Sequence, residues 1–263
     1  MLEEPNNDIN LPDFQGFTPL MSASGYDYPE IVALLLSKGA RINAEAKDGD
    51  ATVHLACSYG HIDVLKLLLD HGALVDIANN EDETPLILAA ENGYTDAVEL
   101  LLVKGASIDK QRSEDGATAL RIVCADGRLD VVKLLLKHGA SIDFVDNDNY
   151  TPLRSATWNG HTQLVEFLLD QGASVDLTRN GDLTPLMSAS EEGLDDVVAV
   201  LLKRGASVDK QTQSGQTALH IACFNGYLEV AKLLLVHGAL IDLWMLKETV
   251  RCTVQPTMGT RIW

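Results

Sequence analysis

The stretch "TPLILAAENGYTDAVELLLVKGA" occupies residues 84–106. Thr84 has the chemistry of a helix N-cap, a hydroxyl that accepts a hydrogen bond from an early helical N–H. Pro85 follows at the first helical position, where its missing N–H costs nothing. Gly93 suits the left-handed residue that ends a short helix. The spacing of Val98, Leu101 and Leu102 predicts a second helix over about Thr95 to Val103, which Gly105 stops. The following stretch, "ASIDKQRSEDGA" (residues 106–117), is polar and turn-rich. It is too long for a tight turn and suits an extended hairpin reaching to the next element.

The same text recurs. "TPLMSASEEGLDDVVAVLLKRGA" occupies residues 184–206 and "TALHIACFNGYLEVAKLLLVHGA" residues 217–239. The opening threonine marks Thr18, Thr84, Thr118, Thr151, Thr184 and Thr217, with Ala51 in one unit; the steps are 33 residues with a single 34. The position 21 beyond each marker is Gly39, Gly72, Gly105, Gly139, Gly172, Gly205 and Gly238, always followed by Ala. The position nine beyond is Gly except at Asp27. One such unit is too small to bury its apolar faces alone. Stacked neighbours bury each other's faces, and the product is a solenoid.

The period, the T-P-L helix start and the Gly-Ala after the second helix resemble the ankyrin-repeat family over roughly residues 13–244. The resemblance implies an all-α ankyrin-repeat solenoid of helix-turn-helix units joined by β-hairpin-like loops. Seven repeats are expected, about 13–45, 46–78, 79–112, 113–145, 146–178, 179–211 and 212–244. Residues 1–12 then form an N-terminal remnant or cap and residues 245–263 a non-repeat tail. Departures concentrate in the first two units. Ala51 replaces threonine, with Thr52 adjacent, and repeat one carries Gly25 inside its first helix and Asp27 at the glycine position. Repeat one is therefore expected to be less well ordered. "DIN" of residues 8–10 matches "RIN" of residues 41–43, and residues 227–243 read like an interior unit. Two readings follow: a segment of a longer array, or improvised caps with Trp244 and Met245 covering the last apolar face.

Asp plus Glu number 38 against 20 Lys plus Arg, a net charge of −18. Such a surface repels phosphate backbones and anionic membranes and favours basic protein partners. No apolar run approaches the roughly 18 residues of a spanning helix. The acidic N-terminus lacks an apolar signal region, so an intracellular, cytoplasmic protein is expected. Cys57, Cys124 and Cys223 sit six residues beyond their markers. Helix spacing of roughly 8–10 Å separates Cys57 from Cys124 by roughly 16–20 Å, beyond disulfide reach. They read as small core residues; Cys252 lies in the tail. No cysteine or histidine spacing suggests zinc.

Catalysis finds no residues to carry it. His54 and His220 occupy the family's T-P-L-H position, where the resemblance implies hydrogen bonds between hairpins; the same position holds Met21, Ile87, Arg121, Arg154 and Met187 elsewhere. His71, His138 and His237 precede a helix-ending glycine, where a cation suits the dipole. His61 and His161 follow the inter-helix glycine. In "EEGLDD", Glu191 and Glu192 close one helix while Asp195 and Asp196 open the next, as helix dipoles favour. No phosphate loop or nucleophile elbow occurs. The expectation is a non-enzyme without cofactor or metal.

Function should then lie where the repeats differ. The two positions before the inter-helix glycine face the concave side in ankyrin folds, and the residue before the marker lies on the hairpin. Tyr59, Trp158, Phe224, Tyr150 and Leu183 are large apolar residues there, a composition typical of interaction surfaces. Tyr150 and Leu183 are one period apart, so stacking sets their tips at roughly 8–10 Å. Arg154, Glu191 and Glu192 complete the candidate partner-binding set as a charged rim. The expected function is a monomeric protein–protein interaction scaffold or adaptor. The alternative is a regulatory segment of a larger multidomain protein or enzyme.

Overall fold

The computed structural model describes residues 8–178 and 182–241. Trp244, Met245, Cys252 and the tail lie outside these residues. The chain divides into two compact units, Met1–Asp148 and Asn149–Trp263. In the first, helices run α1 (Pro19–Gly25), α2 (Pro29–Ser37), α3 (Thr52–Tyr59), α4 (Ile62–Asp70), α5 (Pro85–Glu91), α6 (Thr95–Val103), α7 (Ala119–Ala125) and α8 (Leu129–Lys137). In the second they run α9 (Pro152–Trp158), α10 (Thr162–Asp170), α11 (Pro185–Glu192), α12 (Asp195–Lys203), α13 (Ala218–Asn225) and α14 (Leu228–Val236).

The helix starts are made by the marker. Thr84 Oγ1 accepts the Ile87 N–H at 3.3 Å, and Thr18, Thr118, Thr151, Thr184 and Thr217 cap their helices in the same way. Asp27 takes the left-handed turn that glycine takes in the other units, at φ 58°. That conformation costs a residue with a Cβ on the order of 1 kcal/mol. Repeat one nevertheless forms both α1 and α2.

Within each unit the first helices pack side by side and the second helices form a parallel layer. In the first unit these layers are α1, α3, α5 and α7, and α2, α4, α6 and α8; in the second, α9, α11 and α13, and α10, α12 and α14. A first helix has a neighbour on either side, so α5 is buried along its whole run Pro85–Ala90. A second helix has an outer face in water, so α6 buries only Ala97, Val98 and Leu101. Cys57 and Cys124 are fully buried free thiols and Cys223 is half-buried. Burial in this apolar layer pushes the Cys57 and Cys124 thiols well above the ordinary range.

The expected hairpin-like loops form without regular strands. Among the described residues no strand forms, and one isolated bridge joins Glu45 to Ala51. Short backbone bonds close these loops, such as Ala46 N–H to Asp50 O at 2.9 Å and Asn79 N–H to Glu83 O at 3.1 Å. The next loop adds one more, Asn80 N–H to Asp48 O at 3.0 Å. One bond per neighbour is too few for a ladder.

A second tie was not read from the sequence. Within the units the acid or amide in a "SID"-like stretch accepts from the next repeat: Asp76 from the Ser107 N–H at 2.9 Å, Asp109 from the Ser141 N–H at 3.0 Å, and Asn43 from the Leu74 N–H at 3.0 Å. Asn10 does the same for the Arg41 N–H at 2.6 Å, as Asn43 does for Leu74.

Candidate functional site

In the second unit three of the sequence-selected residues, Tyr150, Arg154 and Trp158, come together. Tyr150, on the hairpin before the cap Thr151, meets Trp158 at the end of α9 edge-to-face, with ring centroids 6.4 Å apart at 78°. The Arg154 guanidinium carbon lies 4.0 Å from the Tyr150 ring centroid. Its Nε donates to Ser188 Oγ at 3.2 Å and its Nη1 to the Asn149 carbonyl at 3.1 Å. Arg154 is only 6% exposed, which overturns its reading as a rim charge. The position three past the marker points under the hairpin, and a weakly hydrated guanidinium satisfied by a ring face and a carbonyl is stable there. Arg154 therefore holds Tyr150 in place.

The remaining members differ in availability. Tyr150, Trp158, Leu183 and Glu191 are half-buried, Glu192 is exposed, and Phe224 is 85% exposed. Glu191 Oε2 is enclosed without a hydrogen-bond partner. Asn149 adopts φ 64° and its side-chain amide donates to Asp182 at 2.6 Å, linking one hairpin to the next.

In the first unit Tyr59 ends α3, is 58% exposed and stacks on His61 with centroids 5.8 Å apart. It borders a cleft of about 680 Å³ that also takes in Phe17, Met21, Tyr26 and Leu55. Tyr26, 74% exposed, was not selected from the sequence. The available signal was Gly25, a helical residue without a side chain at a position filled in the later repeats. His61 Nε2 lies 3.0 Å from the Gly25 carbonyl, and its Nδ1 is 3.8 Å from Asp27.

The hairpins of the first unit also carry charge. Arg112 pairs with Asp115 at 2.8 Å and with Glu83 at 3.5 Å; Arg121 pairs with Asp115 at 2.6 Å and with the buried Asp146 at 3.1 Å. Burial pushes the Asp115 carboxyl up, but hydrogen bonds from Arg112 and the Ala117 N–H and the charges of Arg112 and Arg121 outweigh it and hold it below the ordinary carboxylate value. His71 and His237 bond the carbonyls of Leu67 and Leu233, each at 2.8 Å, at the ends of α4 and α14. Among the described residues no cluster of three or more His, Cys, Asp or Glu is placed to hold a metal ion. No described helix is long and apolar enough to cross a membrane.

The family model described as ankyrin repeats in three copies matches residues 43–112, 104–179 and 173–243. The single ankyrin-repeat model matches residues 15–47. The chain belongs to the ankyrin-repeat family. Its fold is the all-α solenoid of that family. It resembles the crystal structure of the human ASB11 ankyrin repeat domain with a TM-score of 0.75 and 28% identity, over 84% of this chain and 98% of that one. No match is found among curated proteins. Ankyrin repeats are a protein–protein interaction module, so the residues that vary between these repeats are where binding chemistry should be sought.

Proposed function

We propose that this ankyrin-repeat chain is a protein-recognition scaffold or adaptor, monomeric and without catalytic activity of its own, that binds a basic protein partner inside the cell. Its binding residues are the ends of the first helices and the hairpin tips: Tyr59 in the first unit, and Tyr150, Trp158, Leu183, Glu191, Glu192 and Phe224 in the second, with Arg154 positioning Tyr150. One observation carries this reading. The marker position is buried in every repeat, whereas large rings stand outward at the variable first-helix ends, Phe224 at 85% and Tyr59 at 58% exposure. Exposed aromatic anchors beside acids suit a partner with apolar and cationic side chains. The net charge of −18 supports the basic character of that partner.

The test is affinity capture with the purified chain, followed by calorimetry of each captured protein against Tyr59→Ala, Trp158→Ala and Phe224→Ala. A hot spot should lose about 2 kcal/mol or more of binding free energy. Glu192→Lys should slow association and alter its salt dependence. Full affinity in all three aromatic variants would show that binding, if any, lies elsewhere.

A further inference from the structure

Seven residues past the marker, the later repeats carry Ser58, Glu91, Ala125, Trp158, Glu191 and Phe224, whereas repeat one carries Gly25. Gly25 lines a cleft of about 680 Å³ between the Asp13–Phe17 hairpin, α1 and α3. Met21 and Leu55 give it an apolar floor, and the exposed rings of Tyr26 and Tyr59 border it. Asp13 stands at the hairpin side, and no Lys or Arg lines the cleft. Asp13 Oδ1 accepts the Gln15 and Phe17 N–H groups at 2.8 and 2.9 Å, and Oδ2 faces no such demand from the hairpin.

We propose that this cleft is the socket for a basic side chain, arginine above all, carried by an extended segment of the protein partner; the inference rests on the recognition function proposed above and names the chemistry it reads. The aliphatic stem covers Met21 and Leu55, as long cationic side chains do on apolar surface. The guanidinium stacks on a tyrosine face, an attraction that operates within about 6 Å of a ring centroid. Asp13 supplies the opposite charge, and the planar fork of arginine uses both contacts better than the ammonium of lysine. An acidic segment meets Asp13, with Asp27 beyond His61, and is repelled.

The test uses the full chain and four fluorescent decapeptide pools, randomised except for a central Arg, Lys, Glu or Leu, read by fluorescence polarisation. The Arg pool should bind tightest and the Glu pool about tenfold more weakly. Gly25→Leu places a side chain against the apolar floor of the cleft; a Cβ at Gly25 would lie 3.9 Å from Leu55 Cβ, an ordinary contact. Asp13→Asn keeps the Oδ1 acceptor and removes the charge, and decides the matter if Gly25→Leu fails to fold. Each should weaken the Arg pool about fivefold or more, as should Tyr59→Ala, while Tyr59→Phe keeps the ring and the affinity. Equal binding of Arg and Glu pools, or unchanged Arg-pool binding in Asp13→Asn and Tyr59→Ala, overturns the socket. Arg-pool binding lost in Trp158→Ala but kept in Gly25→Leu also overturns it, yet leaves the recognition function standing on the second unit.

Discussion

At the T-P-L-H position unlike residues do one job. In repeat two the cap residue is Ala51, and His54 Nδ1 accepts the Ala51 N–H at 2.8 Å. In repeats one and six the sulfur of Met21 or Met187 receives the corresponding N–H of Thr18 or Thr184, at 3.3 and 3.5 Å. With Nδ1 an acceptor, His54 carries its proton on Nε2 and donates it to the Ile77 carbonyl at 3.0 Å. Burial, only partly offset by the nearby Asp50 charge, holds its pKa below the ordinary 6.5. A second proton would break the Ala51 bond. Because the folded pKa is depressed, the unfolded chain takes up the proton first; the contribution of His54 is full above about pH 6.5 and is lost as pH falls below it. Urea midpoints at about pH 7.5 and about pH 5.5 should therefore fall more steeply for the parent chain than for His54→Gln. Equal slopes in the two proteins would remove His54 from the acid sensitivity.

At the scale of the element, α9 separates capping from packing. Thr151 Oγ1 accepts the Arg154 N–H at 3.0 Å, and Leu153 is fully buried two residues later. Thr151→Ala should cost about 1 kcal/mol through the lost cap. Leu153→Ala should cost about 2–5 kcal/mol, the transfer and cavity cost of a large-to-small core change. Chemical denaturation of the two variants checks the order, and a parent-like Leu153→Ala would refute the packing of this helix. The caps, prolines and glycine stops were legible because each acts within one helix turn. The ties between successive hairpins were not, because they join residues about one repeat apart, such as Asn80 and Asp48.

For the molecule as a whole, stability in a repeat array is a sum of local and nearest-neighbour terms. The end repeats lack a neighbour on one side among the described residues. Leu34 of α2 is 57% exposed; at the other end Leu228 of α14 is 58% exposed. Hydrogen exchange should show the repeats around Thr18 and Thr217 opening before the middle of either unit. Uniform protection across the chain would instead mean that the ends are covered as well as the interior.

The sequence by itself determined the period, the helix ends and the buried face of each helix, because caps, glycine stops and apolar spacing are local and were written repeatedly. It also marked the variable positions as the place to look for binding. Only the tertiary structure decided what those positions present. Arg154 went under a tyrosine ring instead of into solvent, since the hairpin that receives it folds over the helix start. Gly25, which looked like a weakness in a helix, lines a cleft because the neighbouring α3 and the preceding hairpin stand around it. Exposure and enclosure belong to the packing of several elements at once, and no single repeat of the sequence contains them.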